Sequence, residues 1–159
     1  MPESVLTTLT WISALGAALI AGVFFAFSTF VMRALAKRPA AEGISAMQAI
    51  NIVVVRSGFI VVFLATAVTS SVLALIALAS LQDTRALFWL AGALLYVLGT
   101  FALTLVCNVP LNNSLADVDP SSSQGGSVWA QYLSEWTWWN SVRTVASLGA
   151  TAAFIVALT

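Results

Sequence analysis

The chain has 159 residues, of which 60% are apolar and 8% are charged, and its six basic and six acidic residues give a net charge of zero. A soluble domain carries ~45–50% apolar and ~25% charged residues, so this composition excludes a soluble enzyme, a nucleic-acid-binding protein and a disordered chain. The sequence has no histidine and one cysteine, which excludes an intrachain disulfide and a thiolate metal cage. An integral membrane protein remains.

Uncharged segments long enough to cross a bilayer predict four membrane helices. A helix needs ~20 predominantly apolar residues to span the hydrocarbon core. On this criterion the helices cover about 5–31, 58–81, 86–107 and 129–158, within a single membrane domain formed by residues 1–159. The apolar runs do not alternate with a period of two, as the strands of a membrane barrel do. The predicted fold is therefore all-α, a four-helix bundle in the lipid bilayer.

The connection between the first two predicted helices contains an amphipathic segment. Pro39 ends the first helix, and residues 41–55 mix Ile and Val with Glu42, Gln48 and Asn51. Such a pattern is typical of a segment that lies at the membrane interface. We therefore expect a short interfacial segment between helices 1 and 2.

Basic residues near the helix ends predict the orientation of the bundle, because cytoplasmic connections carry an excess of Lys and Arg. The turn between helices 2 and 3 carries only Arg85. The first connection carries Arg33, Lys37, Arg38 and Arg56. We therefore expect the first and third connections in the cytoplasm and both termini outside. The sequence has no lipidation or retention motif, which favours a bacterial plasma membrane.

Most of the strong hydrogen-bonding side chains lie at the predicted cytoplasmic end of all four helices. The set comprises Ser28, Thr29 and Arg33 at helix 1, Asn51 and Arg56 at helix 2, Asn108, Asn112 and Asn113 at helix 3, and Glu135, Asn140 and Arg143 on helix 4. On helix 4, Tyr132, Trp136, Asn140 and Arg143 recur every three or four residues and share one face, with Trp139 beside it. A charged side chain within a membrane helix usually faces the bundle interior and has a partner there. This end of the bundle is the candidate site.

Two structural interpretations of the same residues stay open. The aromatic side chains of helix 4 are also compatible with an interfacial belt. The aliphatic stem of Arg143 is long enough to carry its charge to the lipid headgroups. A structural role predicts a cluster filled by its own hydrogen bonds, whereas a binding role predicts an open cavity lined by Trp136, Asn140 and Arg143.

Four segments carry distinctive motifs in a fixed order: residues 22–32, 47–51, 108–115 and 129–144. The most specific are Asn-x-Pro-Leu-Asn, which begins at Asn108, and the Trp-Asn-x-x-Arg that ends helix 4's aromatic stretch. Together they resemble the anthrone oxygenase-like family of small four-helix membrane proteins. The resemblance covers almost the whole chain. It implies a four-helix membrane fold with the site at the polar end of the bundle.

Relatives in fungal polyketide pathways are assigned the oxidation of an anthrone to an anthraquinone, with no metal or flavin motif. The motif positions carried by this chain are Asn51, Asn108, Pro110, Asn112, Trp136, Trp139, Asn140 and Arg143. The chain departs from the family pattern at Ser141, where a His is common, at Trp138, where a basic residue is common, and at Arg33, where a Pro is common. Because no metal or flavin motif is associated with the activity of these relatives, the resemblance implies an oxygenase without a cofactor.

Such an oxygenase needs an electron-rich substrate that passes an electron to molecular oxygen. The substrate-binding candidates are Tyr132, Trp136 and Trp139, which are suited to stacking on a flat ring, together with Asn51, Asn108 and Asn112. Arg143 and Asn140 are candidate catalytic donors to the substrate oxyanion. Glu135 is the only carboxylate near the motif and is the candidate proton acceptor.

A non-enzymatic role is the alternative, either binding a lipophile or serving as a structural or assembly component. Only the later part of the helix predicted at 129–158 is lipid-like, and Glu135 precedes that part. A proton-coupled exporter is disfavoured, because no Asp or Glu lies inside the lipid-like part of a predicted helix. The expected partners are the lipid bilayer and a hydrophobic polycyclic or quinol-like molecule, without nucleic acid, and a homo-oligomer is compatible with the sequence. If the protein is an enzyme, we expect an anthrone-type oxygenase without metal or flavin.

Overall fold

The computed structural model describes residues 2–159, which form helices and no β-strand. Five helices follow one another along the chain: α1 (Glu3–Leu35), α2 (Ala40–Val54), α3 (Gly58–Leu78), α4 (Thr84–Ala116) and α5 (Gly125–Val156). The predicted all-α membrane bundle is confirmed, although the described chain has five helices rather than four. The additional helix is α2, because the expected interfacial segment forms a regular helix of 15 residues.

Three of the helices, α1, α3 and α4, are long and apolar enough to cross a membrane. Helix α5 packs along α1 and α4, and its later part contributes Ala150 and Phe154 to the core that these helices share. Exposed apolar side chains such as Val145 and Leu148 lie on its outer face. The four long helices therefore lie side by side, with α2 across one end.

Helix α4 continues nine residues beyond its predicted end at 107, although Pro110 lies within the extension. Proline has no N–H to donate to the carbonyl one turn earlier. Two stretches of wider, π-helical turns, Val97–Ala102 and Thr104–Asn108, lead up to this point. A third such stretch, Phe27–Val31, lies in α1. Wide turns of this kind are frequent at functional sites, and each of the three contains a residue of the cavity described below, namely Phe27, Phe101 or Thr104.

A second apolar core joins α2 to the ends of α1, α4 and α5. It contains Met32, Ile44, Met47, Leu115, Trp129, Tyr132 and Trp136. Gly43 allows the close approach of α2 to α5, because a Cβ atom there would lie 2.5 Å from Cζ2 of Trp129. Gln48 donates from Nε2 to the carbonyls of Leu115 and Val118, at 2.9 Å each. These contacts fix α2 over the end of the bundle.

Polar side chains cap the starts of two helices and stabilise a turn in the connections. Ser57 accepts a hydrogen bond from the backbone N–H of Phe59 at the start of α3, and Asp83 accepts one from the N–H of Arg85 at the start of α4. In the connection before α5, hydrogen bonds from the side chain and backbone of Ser121 lower the pKa of Asp119. These residues are the helix-capping and turn-forming types that are favoured at such positions.

Candidate functional site

A cavity of about 320 Å³ lies at the polar end of the bundle and is lined by all five helices. Its volume falls within the range of small-molecule sites. Most of the lining is apolar, with aromatic rings from Phe24, Phe27, Phe59, Phe63, Phe101 and Trp136. The polar lining consists of Asn51, Thr104, Asn112 and Arg143. The arrangement suits a flat apolar molecule that carries a polar group.

Arg143 on α5 provides the charge at this cavity. Its side chain is buried, with 4% exposure. One terminal nitrogen donates to Oγ1 of Thr104 at 3.0 Å, and the other donates to Oδ1 of Asn140 at 2.7 Å. The guanidinium carbon lies 4.1 Å from the ring centre of Phe24 and 5.4 Å from that of Trp136. No carboxylate within residues 2–159 forms an ion pair with it.

Asn140 holds Arg143 in place and is itself fully buried. Its Nδ2 atom donates to the carbonyl of Phe24 and to Oγ of Ser28, both at 2.7 Å. Because both amide hydrogens point to α1, the amide oxygen faces Arg143. Ser141 adds a hydrogen bond of 3.0 Å from its hydroxyl to Oγ of Ser28. Asn140 therefore joins α1 to the guanidinium group.

The aromatic face of α5 forms a continuous stack beside the cavity. The ring centres of Trp129 and Tyr132 are 5.8 Å apart, as are those of Tyr132 and Trp136, with interplanar angles of 14° and 20°. The hydroxyl of Tyr132 donates to Oδ1 of Asn112 at 2.8 Å. Of these three rings only Trp136 lines the cavity. Tyr132 and Trp129 support it from behind.

Three buried hydrogen-bond donors on residues that line the cavity have no partner in the described chain. They are Nε of Arg143, Nε1 of Trp136 and Nδ2 of Asn51. Buried polar groups are almost always hydrogen-bonded, so each exception needs an explanation. The polar lining is therefore rich in donors and lacks an acceptor for them. A ligand with a negatively charged or strongly accepting oxygen would satisfy these donors.

The structure brings together Arg143, Trp136, Asn112 and Asn51 at the cavity. Asn140 does not line the cavity, but it accepts a hydrogen bond from Arg143, which does. Asn108 is buried behind the lining, where its Nδ2 donates to the carbonyl of Trp136 at 3.2 Å.

Besides Asn140, Asn108 and Tyr132, two further predicted site residues, Trp139 and Glu135, lie outside the lining. Trp139 is half-buried and absent from the cavity wall formed by the described residues. Glu135 is exposed and accepts a hydrogen bond of 3.0 Å from Nε2 of Gln131, its neighbour one turn earlier. A carboxylate in that position does not reach a molecule in the cavity directly.

Phe24 and Thr104, the two residues on other helices that contact Arg143, are not among the predicted site residues. Phe24 lies in the motif 22–32 among several other phenylalanines, and Thr104 lies in an apolar stretch, so neither is distinguished from its neighbours by sequence. A second, polar cavity of about 490 Å³ lies next to the first and is not predicted from the sequence; Gln48, Arg56 and Asn113 help to line it. Asn51 and Asn112 line both cavities. We call the second cavity the polar mouth.

Among residues 2–159, no group of three or more His, Cys, Asp or Glu side chains is placed to hold a metal ion. A family model described as anthrone oxygenase matches residues 53–153. No curated protein and no solved structure matches the chain. The matched range contains α3, α4 and most of α5, and with them Asn108, Asn140 and Arg143. Because the match extends over well more than half of the sequence, the chain belongs to the anthrone oxygenase family.

Proposed function

We propose that the protein binds a flat, lipophilic aromatic molecule with an acidic enol or hydroxyl group and oxidises it with molecular oxygen, as expected of an anthrone oxygenase. The observation that carries the proposal is the buried Arg143, which lines an apolar cavity and has no carboxylate partner in the described part of the chain. An unpaired buried cation costs several kcal/mol. Such a cost is expected where the missing partner is a ligand.

The remaining lining supports the same class of ligand. Trp136 and the surrounding phenylalanine rings offer apolar surface for an aromatic ring system. The unpartnered donors on Arg143, Trp136 and Asn51 support an enolate or phenolate oxygen as the polar group of the ligand. Donors without acceptors select against a neutral hydrocarbon, which would leave them unsatisfied.

The proposed reaction needs only the substrate and oxygen. Loss of one C–H proton from an anthrone gives an enolate, which transfers one electron to molecular oxygen. The resulting carbon radical and superoxide combine to a peroxide anion, which takes up a proton. Loss of water from this hydroperoxide, with the second hydrogen of the same carbon, gives the quinone carbonyl. One oxygen atom ends in the quinone and the other in water, so no external reductant is consumed.

The protein's part is to favour the ionised substrate. The described lining holds no carboxylate, so we assign proton removal to water in the polar mouth. The cation of Arg143 stabilises the enolate that remains, because charge attraction is strong in a site from which water is excluded. Asn140 positions Arg143. The proposal gives no role to Glu135.

The test is oxygen uptake by the purified protein in phospholipid vesicles supplied with anthrone. We expect one molecule of anthraquinone for each oxygen molecule consumed, above the rate of vesicles without protein. We expect Arg143→Gln to be inactive, and Arg33→Gln is the control for loss of an exposed positive charge. Equal rates with and without protein would overturn the oxygenase proposal.

A non-enzymatic lipophile-binding role is the second candidate. It is favoured by one observation, the absence of a carboxylate from the described lining of the cavity. Tight binding of a hydroxyanthraquinone without any oxygen uptake from anthrone would support this role instead.

A further inference from the structure

The wall of the cavity between α3 and α4 is formed by side chains that are also exposed on the outer surface of the bundle. Leu64 on α3 is 47% exposed and Leu105 on α4 is 51% exposed, and both line the cavity. A side chain that contacts the cavity and the surroundings at once marks a thin or open part of the wall.

The backbones explain this thin wall. Helices α3 and α4 are antiparallel and pack closely from the turn at Asp83 up to the stretch Val97–Ala102. Phe63 and Phe101 contact each other there, with ring centres 5.5 Å apart. Beyond that pair the two helices have few close backbone contacts. The cavity occupies the space where they separate.

We expect the gap to face the hydrocarbon core of the bilayer, because both helices are apolar enough to span it. The exposed cavity-lining side chains on the two helices, Leu64 and Leu105, are apolar. The polar mouth lies on another side of the cavity, where Gln48, Arg56 and Asn113 are placed. The cavity therefore has an apolar opening toward lipid and a polar opening toward water.

We propose that the lipophilic ligand enters and leaves sideways from the bilayer between α3 and α4, past Leu64 and Leu105, while the polar mouth passes only water and protons. This inference rests on the proposed function, since it concerns access of the ligand to the same cavity. Flat aromatic molecules concentrate in the hydrocarbon core, because burial of their apolar surface is favourable there. Diffusion along the bilayer brings them directly to this opening.

The test compares substitutions that narrow the gap with matched substitutions that do not. Leu64→Trp and Leu105→Trp place a large ring in the opening. Val68→Trp and Val106→Trp add the same ring on the same helices at exposed positions that do not line the cavity. Asn113→Trp narrows the polar mouth instead. The probe is alizarin, a coloured hydroxyanthraquinone, equilibrated with phosphatidylcholine vesicles that contain the protein.

Stopped-flow quenching of tryptophan fluorescence gives the association rate, and a chase with empty vesicles gives the dissociation rate. We expect Leu64→Trp and Leu105→Trp to lower both rates about tenfold, with little change in affinity, because a narrower passage slows movement in both directions equally. The three other variants keep the wild-type rates.

The outcomes separate this inference from the proposed function. If wild-type protein does not bind alizarin, the proposed function fails and lateral access fails with it. If it binds, but Leu64→Trp and Leu105→Trp match their controls, lateral access is wrong while the binding function stands. Slowing by Asn113→Trp alone would assign ligand access to the polar mouth. If Leu64→Trp does not fold, Leu64→Phe and Leu105→Trp decide the question.

Discussion

Arg143 is buried without an acidic partner, and its fixed contacts leave one donor free. Thr104 and Asn140 occupy its two terminal nitrogens, while Nε has no partner in the described chain. Contacts with the faces of Phe24 and Trp136 compensate part of the cost of burial. A purely structural arginine would gain more from a carboxylate than from these neutral groups. The neighbouring residues therefore hold the guanidinium group of Arg143 in place without neutralising its charge.

Replacement of Arg143 is expected to change ligand binding and protein stability differently. We expect Arg143→Gln to weaken alizarin binding by about 2–5 kcal/mol, the usual loss when one partner of a buried charged pair is removed. The thermal unfolding midpoint stays the same or rises, because an uncompensated buried charge is lost. Equilibrium fluorescence titration and thermal unfolding in detergent measure the two effects. A large drop in the midpoint with unchanged binding would instead assign Arg143 a structural role.

Glu135 offers a second test at the level of one residue. A general base that takes a substrate proton contributes ~100-fold or more to the rate. Because Glu135 is exposed and outside the cavity lining, we expect Glu135→Gln to oxidise anthrone at close to the wild-type rate. Oxygen uptake across a range of pH measures this. A rate reduced by two orders of magnitude, with intact alizarin binding, would restore Glu135 as the base.

At the scale of the element, α2 covers the site and Gln48 anchors it through polar contacts. The last carbonyls of a helix have no partner within the helix, and Gln48 donates to that of Leu115 in the last turn of α4 and to that of Val118 just after the helix. The same helix contributes Met47 and Asn51 to the cavity. The anchor therefore links the cover of the cavity to one of its walls.

Removal of this anchor is expected to loosen the end of α4. Gln48→Ala leaves the carbonyl of Val118 without a donor, at a cost of about 1–3 kcal/mol for such a group, and leaves that of Leu115 with the N–H of Val118 alone. Amide hydrogen exchange measured by mass spectrometry then rises in residues 109–118 and in α2, and remains unchanged in α3. Ser45→Ala, on the exposed side of α2, is the control. Equal protection in both variants would show that the apolar contacts of α2 suffice.

At the scale of the whole molecule, much of the bundle follows from the sequence. Uncharged runs locate α1, α3 and α4, and helical periodicity places Trp136, Asn140 and Arg143 on one face. The same periodicity rotates Glu135 away, since it precedes Trp136 by one residue. Contacts between helices cannot be predicted in this way, because the approach of Phe24 to the guanidinium group depends on how α1 packs against α5.

Helix α5 shows why hydropathy alone is insufficient. Its stretch around Asn140 and Arg143 carries the polar side chains of the site, and these face the bundle interior. The mean hydropathy of the helix is lowered by these polar residues, although they do not face lipid. The outer face at this depth is apolar, with Val145 and Leu148 exposed. Whether α5 crosses the bilayer is therefore decided by the arrangement of its faces rather than by its mean composition.

The sequence predicts four crossings, which would place both termini on one side of the membrane, and the basic first connection predicts that this side is outside the cell. In a Cys107→Ser background, we introduce single cysteines at exposed positions: Gln82→Cys, Ser123→Cys and Thr159→Cys. A membrane-impermeant maleimide applied to intact cells is expected to label the first and third positions. Ser123→Cys should react only after the cells are opened.

The pattern of labelling distinguishes two different errors. Reactivity of Ser123→Cys alone in intact cells would reverse the orientation but keep four crossings, because the two ends of α5 would still lie on opposite sides. Equal reactivity of Ser123→Cys and Thr159→Cys would mean that α5 does not cross. In that case the polar face of α5 that carries Arg143 would not lie within the bilayer, whereas the gap between α3 and α4 would still face lipid.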